Sequence, residues 1–156
     1  MPDSLHSGEH RPPGRFDITY IMTVLPHRFP ILLLDRIVAL CPGISAEGYK
    51  LVSCNEPWFR PNGSHHFPQL SIIEAMAQLA GCIALEPHEF VHRPPYFVGI
   101  DRARFRKAVY PGDHLAMRAT IAMQRRSVTK VETEARVSGI LVCSATLSFA
   151  APTLPR

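Results

Sequence analysis

Three polar side chains interrupt the most apolar stretch of the sequence. After its first two residues, the stretch 68–85 (PQLSIIEAMAQLAGCIAL) carries only three strongly polar side chains, those of Ser71, Glu74 and Gln78. Their spacing of i, i+3 and i+7 places them along one stripe of a helix. A carboxylate in such a helix is costly unless it is paired, hydrogen-bonded or open to a cleft. Glu74 is therefore either a buried carboxylate with a structural partner or a general acid/base, and the helix alone leaves both interpretations open.

A second chemical pattern is the string HEFVH, which spells the HExxH signature of zinc proteases at His88, Glu89 and His92. That motif needs a helix to place both imidazoles on one face. Pro87 and Pro94 bracket the string closely and leave room for little more than one helical turn. We therefore expect no metal site there.

The elements around these residues follow from their hydrophobic patterns. Pro68 can open the central helix, and Pro87 prevents its continuation. Asp17 is a good N-cap for a short helix that must end near Pro26. Alternation, branched residues and turn signals predict strands in the remaining apolar segments. These segments are 31–40, 44–53, 96–105, 114–124, 127–137 and 140–150. The pattern predicts an α+β domain with one buried helix against an antiparallel sheet of five to six strands.

Length and composition limit the class of protein. A chain of 156 residues that is 46% hydrophobic fits a single domain, which we place at 15–151 between polar tails at 1–14 and 152–156. No apolar run is long enough to cross a membrane, and the N-terminus lacks a secretory signal. Four scattered cysteines predict reduced thiols in a cytoplasmic protein. A net charge of +4 suits an acidic partner. The sequence lacks the dense cluster of Lys and Arg that a nucleic-acid groove requires.

Five strings, taken in order, resemble the FabZ-type (3R)-3-hydroxyacyl-acyl-carrier-protein dehydratases. They are LPHRFPILLLDRI, NEPWF, HFP, IIEAMAQLAG and YFVGIDRARFRKAVYPGD, and the resemblance runs from about residue 18 to residue 150. It implies the hot-dog fold, in which a curved antiparallel sheet wraps a long central helix. It also implies that subunits pair edge to edge and share their active sites, so self-association as a dimer or higher oligomer is expected.

The same resemblance implies a reaction and the residues that perform it. Members of the family remove water from a 3-hydroxyacyl chain on acyl carrier protein and give the trans-2-enoyl thioester, with neither metal nor organic cofactor, in fatty-acid or polyketide-like synthesis. The catalytic carboxylate falls on Glu74, which would protonate the leaving hydroxyl, and its helix partner falls on Gln78, with Ser71 in support. The amide that holds the thioester oxygen belongs to Gln69, where the family has a glycine.

The catalytic histidine is where this sequence departs from the family pattern. Counting back from EAMAQ without gaps places Arg60 at its position. Alignment on the string His-Phe-Pro instead gives His66, with His65 as its neighbour, and makes the loop before Glu74 six residues shorter. Both histidines remain candidates for the base at substrate C2.

The segment after the helix supplies the remaining candidates. Tyr96, Phe97 and Val98 are plausible walls of an acyl pocket, although strands also bury such residues for packing. A basic cluster follows them and is either solvated or a docking site for the acidic carrier protein. It consists of Arg102, Arg104, Arg106 and Lys107.

Three functions therefore compete. The first is an active dehydratase of carrier-bound 3-hydroxyacyl chains. The second is a hot-dog thioesterase in which Glu74 activates water. The third is a non-catalytic or half-active subunit that supplies Glu74 to a related chain and borrows its histidine.

Overall fold

The structure is a computed structural model that describes residues 16–59, 63, 65–84, 96–125 and 127–150. Within these ranges the chain forms two helices and six strands. In order they are α1 (Ile18–Val24), β1 (Arg36–Cys41), β2 (Ser45–Leu51), α2 (Gln69–Ala84), β3 (Tyr96–Phe105), β4 (His114–Arg125), β5 (Val128–Val137) and β6 (Ile140–Ala150).

The six strands form one antiparallel sheet in the order β1-β2-β4-β5-β6-β3. The helix α2 packs on one face of this sheet and makes its main contacts with β1, β2, β4, β5 and β6. The strand pairings contain register shifts, two of them in the pairing of β3 with β6, and such bulges bend and twist a sheet. The arrangement confirms the α+β class and the central helix against a six-stranded sheet.

The core lies between α2 and the sheet. Alternate residues of β4, namely Leu115, Met117 and Ala119, are buried toward the helix, while their neighbours along the strand face solvent. From the helix side, Met76 and Leu79 are fully buried. The apolar character of α2 around most of its circumference therefore reflects burial under a sheet rather than a membrane span. In the part of the chain that the structure describes, no helix is long and apolar enough to cross a membrane.

Most predicted elements are confirmed, and one is half wrong. Asp17 caps α1, and its Oδ1 accepts hydrogen bonds from the amides of Thr19 (3.0 Å) and Tyr20 (3.2 Å). The strand predicted at 31–40 begins only at Arg36. The first part of that segment is irregular because a side chain of α2, described below, takes the place of a neighbouring strand as its hydrogen-bond partner.

Several predictions fall on residues outside the described ranges. They concern both tails, Arg60 and the HEFVH string at 88–92. The four cysteines all lie within the described ranges, and none forms a disulfide. Burial raises the pKa of the Cys82 thiol to about 12 and that of Cys143 to about 11, so neither thiol is a ready nucleophile at neutral pH.

Gly48 on β2 lies between the backbone of Arg36 and the side chain of Leu79 on the helix, and it gives a test of the packing. A Cβ at this position would lie 2.6 Å from the carbonyl oxygen of Arg36 and 3.1 Å from Cδ1 of Leu79. Because the first clash is with backbone, we expect Gly48→Ala to lower the free energy of unfolding by about 1–3 kcal/mol in urea denaturation. The control is Gly99→Ala on β3, whose Cβ would lie 3.8 Å from Ser148. Equal stability of the two variants would contradict this packing.

Candidate active site

A stripe of α2 opens onto a small cavity. Glu74, Ala77, Gln78 and Gly81 follow each other at i, i+3, i+4 and i+7 and line one wall. Because Ala77 and Gly81 are small residues, they leave space beside the side chains of Glu74 and Gln78. The cavity has a volume of about 130 Å³, and its other walls come from Leu25, His27, Phe97 and Phe149.

Gln78 is buried and fully hydrogen-bonded. Its Oε1 accepts from the amide nitrogens of Leu33 (2.9 Å) and Leu34 (3.3 Å). Two backbone donors on one atom fix the orientation of the side-chain amide, so Nε2 is the donor. Nε2 donates to the carbonyl oxygen of Ile31 (2.7 Å) and to Oε1 of Glu74 (2.8 Å). Gln78 therefore joins the helix to the segment before β1 and orients the carboxylate one turn earlier.

Among the described residues, two side chains contact the carboxyl group of Glu74, and both approach the same oxygen. Besides the Gln78 amide, Nε2 of His27 lies 3.4 Å from Oε1 of Glu74. The Glu74 side chain is 35% exposed and that of His27 is 30% exposed. Glu74 therefore has structural partners, as the first interpretation of this carboxylate requires. It also faces a cavity, as the general acid/base interpretation requires.

His27 lies in a turn that the side chain of Arg28 stabilises. The guanidinium of Arg28 donates to the carbonyl oxygens of Met22 (3.0 Å), Leu25 (2.9 Å) and His27 itself (2.6 Å). These carbonyls are at and beyond the end of α1, where no further helical amide is present to satisfy them. Arg28 thus fixes the turn that places the neighbouring imidazole against α2.

His65 and His66, the candidates for the base at C2, lie outside this cavity. Both are exposed in the segment that precedes α2. Nδ1 of His66 is 3.3 Å from the carbonyl oxygen of Phe67. Phe67 anchors the segment, because it is buried, packs its ring on Trp58 and donates its amide to Val109 O at 2.7 Å.

Of the other predicted site residues, some line the cavity and others do not. Gln69 is the exposed first residue of α2, where helical amides have no intrahelical acceptor. Ser71 is half-buried and does not line the cavity. Of the three predicted pocket walls, Phe97 lines the cavity and Tyr96 and Val98 do not, and all three are exposed on the edge strand β3.

The basic cluster contributes to a second, larger groove of about 560 Å³. Arg102 and Arg104 line it together with Arg118 of β4, which the sequence did not single out. The groove is on the face of the sheet opposite α2, because Arg118 alternates along its strand with residues buried against the helix. The acidic side chains Glu132 and Glu134 also line it. Arg106 lies nearby and donates to Oγ of Ser144 at 3.1 Å.

The site contains one polar residue, His27, whose contact with Glu74 the sequence did not indicate. Nothing in local spacing relates it to Glu74, 47 positions later. The small residues Ala77 and Gly81 did carry a readable signal, because they share the helical stripe of Glu74. Among the described residues, no group of three or more His, Cys, Asp or Glu side chains could hold a metal ion.

Comparison with known proteins gives the family context. A family model described as a FabA-like domain matches residues 25–146. The curated relative from Dechloromonas aromatica, a 3-hydroxyacyl-[acyl-carrier-protein] dehydratase FabZ, is 45% identical over 139 residues, which cover 86% of this chain and 96% of the relative. The protein of the same name from Caldicellulosiruptor saccharolyticus is 40% identical over 137 residues, which cover 86% of this chain and 98% of the relative.

Solved structures support the fold. The dehydratase heterocomplex ApeI:P from Xenorhabdus doucetiae aligns with a TM-score of 0.71 at 20% identity and covers 85% of this chain and 91% of its own. A hypothetical thioesterase from Streptococcus pneumoniae, solved with coenzyme A, aligns with a TM-score of 0.60 at 14% identity and covers 78% of this chain and 88% of its own. At these identities the two structures establish the shared fold and no more.

Gln78 provides the test of how the site is built. In Gln78→Leu the buried amides of Leu33 and Leu34 lose their acceptor, and Ile31 O loses its donor. Because each unpaired buried group costs about 1–3 kcal/mol, we expect unfolding free energy to fall by roughly 2–4 kcal/mol. The control is Gln124→Leu, the same change at an exposed position of β4, which should shift stability by less than about 0.5 kcal/mol. A Gln78→Leu protein as stable as the control would show that these hydrogen bonds do not hold the site.

Proposed function

The chain belongs to the FabA-like family and, within it, to the FabZ-type dehydratases, and from this premise we propose that it removes water from (3R)-3-hydroxyacyl thioesters carried on acyl carrier protein. The product is the trans-2-enoyl thioester. A role in fatty-acid or polyketide-like synthesis follows from this substrate class, and the cytoplasm is the compartment we propose for it.

The observation that carries the proposal is the position of the Glu74 carboxyl group, which neighbouring side chains orient. This group faces a cavity of mainly apolar walls, and Gln78 and His27 contact one of its two oxygens. Such a group can deliver a proton in a fixed direction, which is what the departure of a hydroxyl group requires. The thioesterase alternative lacks a comparable reason, because no feature of this cavity distinguishes a site for attacking water.

Dehydration needs an acid and a base on different atoms of the substrate. We assign the acid to Glu74, which protonates the C3 hydroxyl as the C3–O bond breaks and water leaves. The base takes the proton from C2, and the electrons of that C–H bond form the new double bond. We assign this role to His66, with His65 as the alternative. Negative charge on the thioester oxygen would be stabilised by the amide of Gln69, supported by the dipole of α2.

These steps transfer two protons and expel water without net oxidation or reduction, so the proposed reaction needs neither an oxidant nor a reductant. We accordingly propose no organic cofactor and no metal. The phosphopantetheine arm of the carrier protein belongs to the substrate.

Two features support self-association. The cavity of about 130 Å³ is smaller than the roughly 300–1,000 Å³ of typical ligand sites, so one chain supplies only part of an acyl pocket. The cavity wall at Phe97 belongs to the edge strand β3, where Tyr96, Val98 and Ile100 are exposed. Apolar edge strands are templates for pairing. We propose that a second subunit pairs along β3, enlarges the pocket and contributes its His66.

An acidic carrier protein needs a basic surface on which to dock. Arg102 and Arg104 have no ion-pair partner among the described residues and line the groove on the outer face of the sheet. Arg106 and Lys107 follow them along the chain and are exposed. We propose this basic cluster as the docking site. Electrostatic contacts of this kind raise the association rate more than they raise the final affinity.

The decisive experiment incubates the purified protein with 3-hydroxyacyl chains on acyl carrier protein and separates enoyl product from free thiol. Enoyl product supports the proposal, and free thiol identifies a thioesterase. A parallel assay with a carrier-free thioester of the same acyl chain tests docking, because a docked carrier should raise kcat/KM.

Glu74→Gln provides the first mutational test. The amide keeps the size of the side chain but cannot donate the acidic proton, so we expect the rate to fall by about 10²- to 10⁴-fold with an unchanged Tm. Glu47→Gln is the matched control, because Glu47 is an exposed residue of β2 on the outer face of the sheet. Wild-type activity of Glu74→Gln would exclude Glu74 as the acid.

The histidine assignment has a separate test. We expect His66→Ala to abolish dehydration and His65→Ala to leave most of it, while both fold normally because both positions are exposed. Mixing Glu74→Gln protein with His66→Ala protein should restore activity if each site combines the two chains, with light scattering to confirm that the variants keep the wild-type mass. Full activity of both histidine variants would place the base elsewhere. A wild type that is inert alone but active with a related chain would favour the half-active subunit.

A further inference from the structure

His27 contacts Glu74 in the cavity, but the proton transfers of the proposed mechanism do not involve its imidazole. Its Nε2 lies 3.4 Å from Oε1 of Glu74, and both side chains line the same cavity. The turn that carries it is braced by three hydrogen bonds from Arg28. The position of the imidazole is therefore fixed by the backbone rather than by the contact itself.

The short distance excludes one role for this imidazole. The base of a dehydration must direct a nitrogen lone pair at the proton on C2. Nε2 of His27 faces Oε1 of Glu74 at 3.4 Å, and Nδ1 is buried, so neither nitrogen presents a lone pair to a substrate in the cavity. His27 is thus not placed to remove the C2 proton, and it can act only through Glu74.

The second ring nitrogen indicates where the proton of His27 resides. Nδ1 is buried and has no hydrogen-bond partner among the described residues. A buried N–H without an acceptor costs more than an unpaired ring lone pair, because the donor loses a strong bond to water. The other walls of the cavity add no titratable group, since Leu25, Ala77, Gly81, Phe97 and Phe149 are uncharged and the guanidinium of Arg28 is directed at carbonyl oxygens. The proton therefore belongs on Nε2, where it points at Glu74.

The geometry at the carboxyl group is asymmetric as a result. Oε1 receives the N–H of Gln78 at 2.8 Å and faces Nε2–H of His27 at 3.4 Å. Among the described residues, Oε2 has no hydrogen-bond partner. In a protonated carboxyl group, the oxygen that receives outside donors is the carbonyl oxygen, and the hydroxyl hydrogen resides on the other.

We propose that His27 is a positioning residue of the site: as the neutral Nε2–H tautomer it joins Gln78 in occupying Oε1 of Glu74, so that Oε2 carries the proton delivered to the substrate. This inference rests on the proposed dehydratase function. In the step itself, the Oε2–H proton passes to the C3 hydroxyl, the C3–O bond breaks, and water departs. Glu74 is left as a carboxylate that keeps both donors on Oε1, while the C2 base holds the proton that it removed.

A set of substitutions at position 27 separates positioning from packing. Glutamine places an amide N–H as many bonds from Cα as Nε2 of histidine, whereas asparagine places it at the level of Nδ1. We expect His27→Ala and His27→Asn to lower kcat by about 10- to 100-fold with little change in KM, since a misoriented proton donor impairs the chemical step. His27→Gln should recover most of kcat. Equal losses in His27→Gln and His27→Asn, or wild-type kcat in His27→Ala, would overturn the proposal.

A spectroscopic measurement tests the same inference without activity. With ¹⁵N-labelled histidine, the His27 signals of the substrate-free wild type should show a protonated Nε2 and an unprotonated Nδ1, and Glu74→Gln should alter the Nε2 signal. A protonated Nδ1 in the wild type would overturn the assignment. If the wild type gives no enoyl product while the tautomer is as expected, the proposed function fails and the His27–Glu74 contact stands. If enoyl product forms and the tautomer is reversed, only the positioning role fails.

Discussion

The four hydrogen bonds of Gln78 are the constraint on which the site depends. They use every donor and acceptor of one buried side-chain amide, and three of them go to the backbone between Ile31 and Leu34. That backbone would otherwise leave polar groups unpaired beneath the sheet. The fourth bond goes to Glu74. The interaction that satisfies an irregular segment of the chain is therefore the same one that orients the carboxyl group, so stability and chemistry cannot be separated at this residue.

This constraint also explains the shape of the neighbouring chain. A segment that bonds to a helix side chain cannot also pair as a strand, so β1 starts late, at Arg36. Before this segment, Arg28 braces the turn that follows α1 by donating to three carbonyl oxygens. The turn places His27 over α2. The carboxylate of an otherwise apolar helix thus obtains a polar neighbour from a residue far away in the sequence.

The two faces of the sheet have different surroundings. The inner face is packed against α2 and leaves only a small cavity at the side of Phe97. The outer face carries a wide groove in which Arg102 and Arg104 lie among hydroxyl and carboxylate side chains. At the bulge in β3, Arg102 adopts a left-handed conformation with φ of 53°. Such a conformation is rare for a residue with a side chain and re-aims the strand, which suits a surface that contacts another molecule.

The sequence by itself determined the family, the fold class, the central helix with its Glu74 stripe, and five of the six strands nearly to their ends. The family follows from the resemblance carried by five strings of residues, whereas the other features depend on local periodicity, on caps such as Asp17 and on turn residues, which act between near neighbours along the chain. Only the tertiary structure decided that Gln78 bonds to 31–34, that His27 contacts Glu74, and that Arg118 joins Arg102 and Arg104 in one groove. Each of these contacts joins segments far apart in sequence through side chains whose direction depends on the whole packed sheet. No local pattern encodes that direction, because it is set only once the helix and strands have buried their apolar faces against each other.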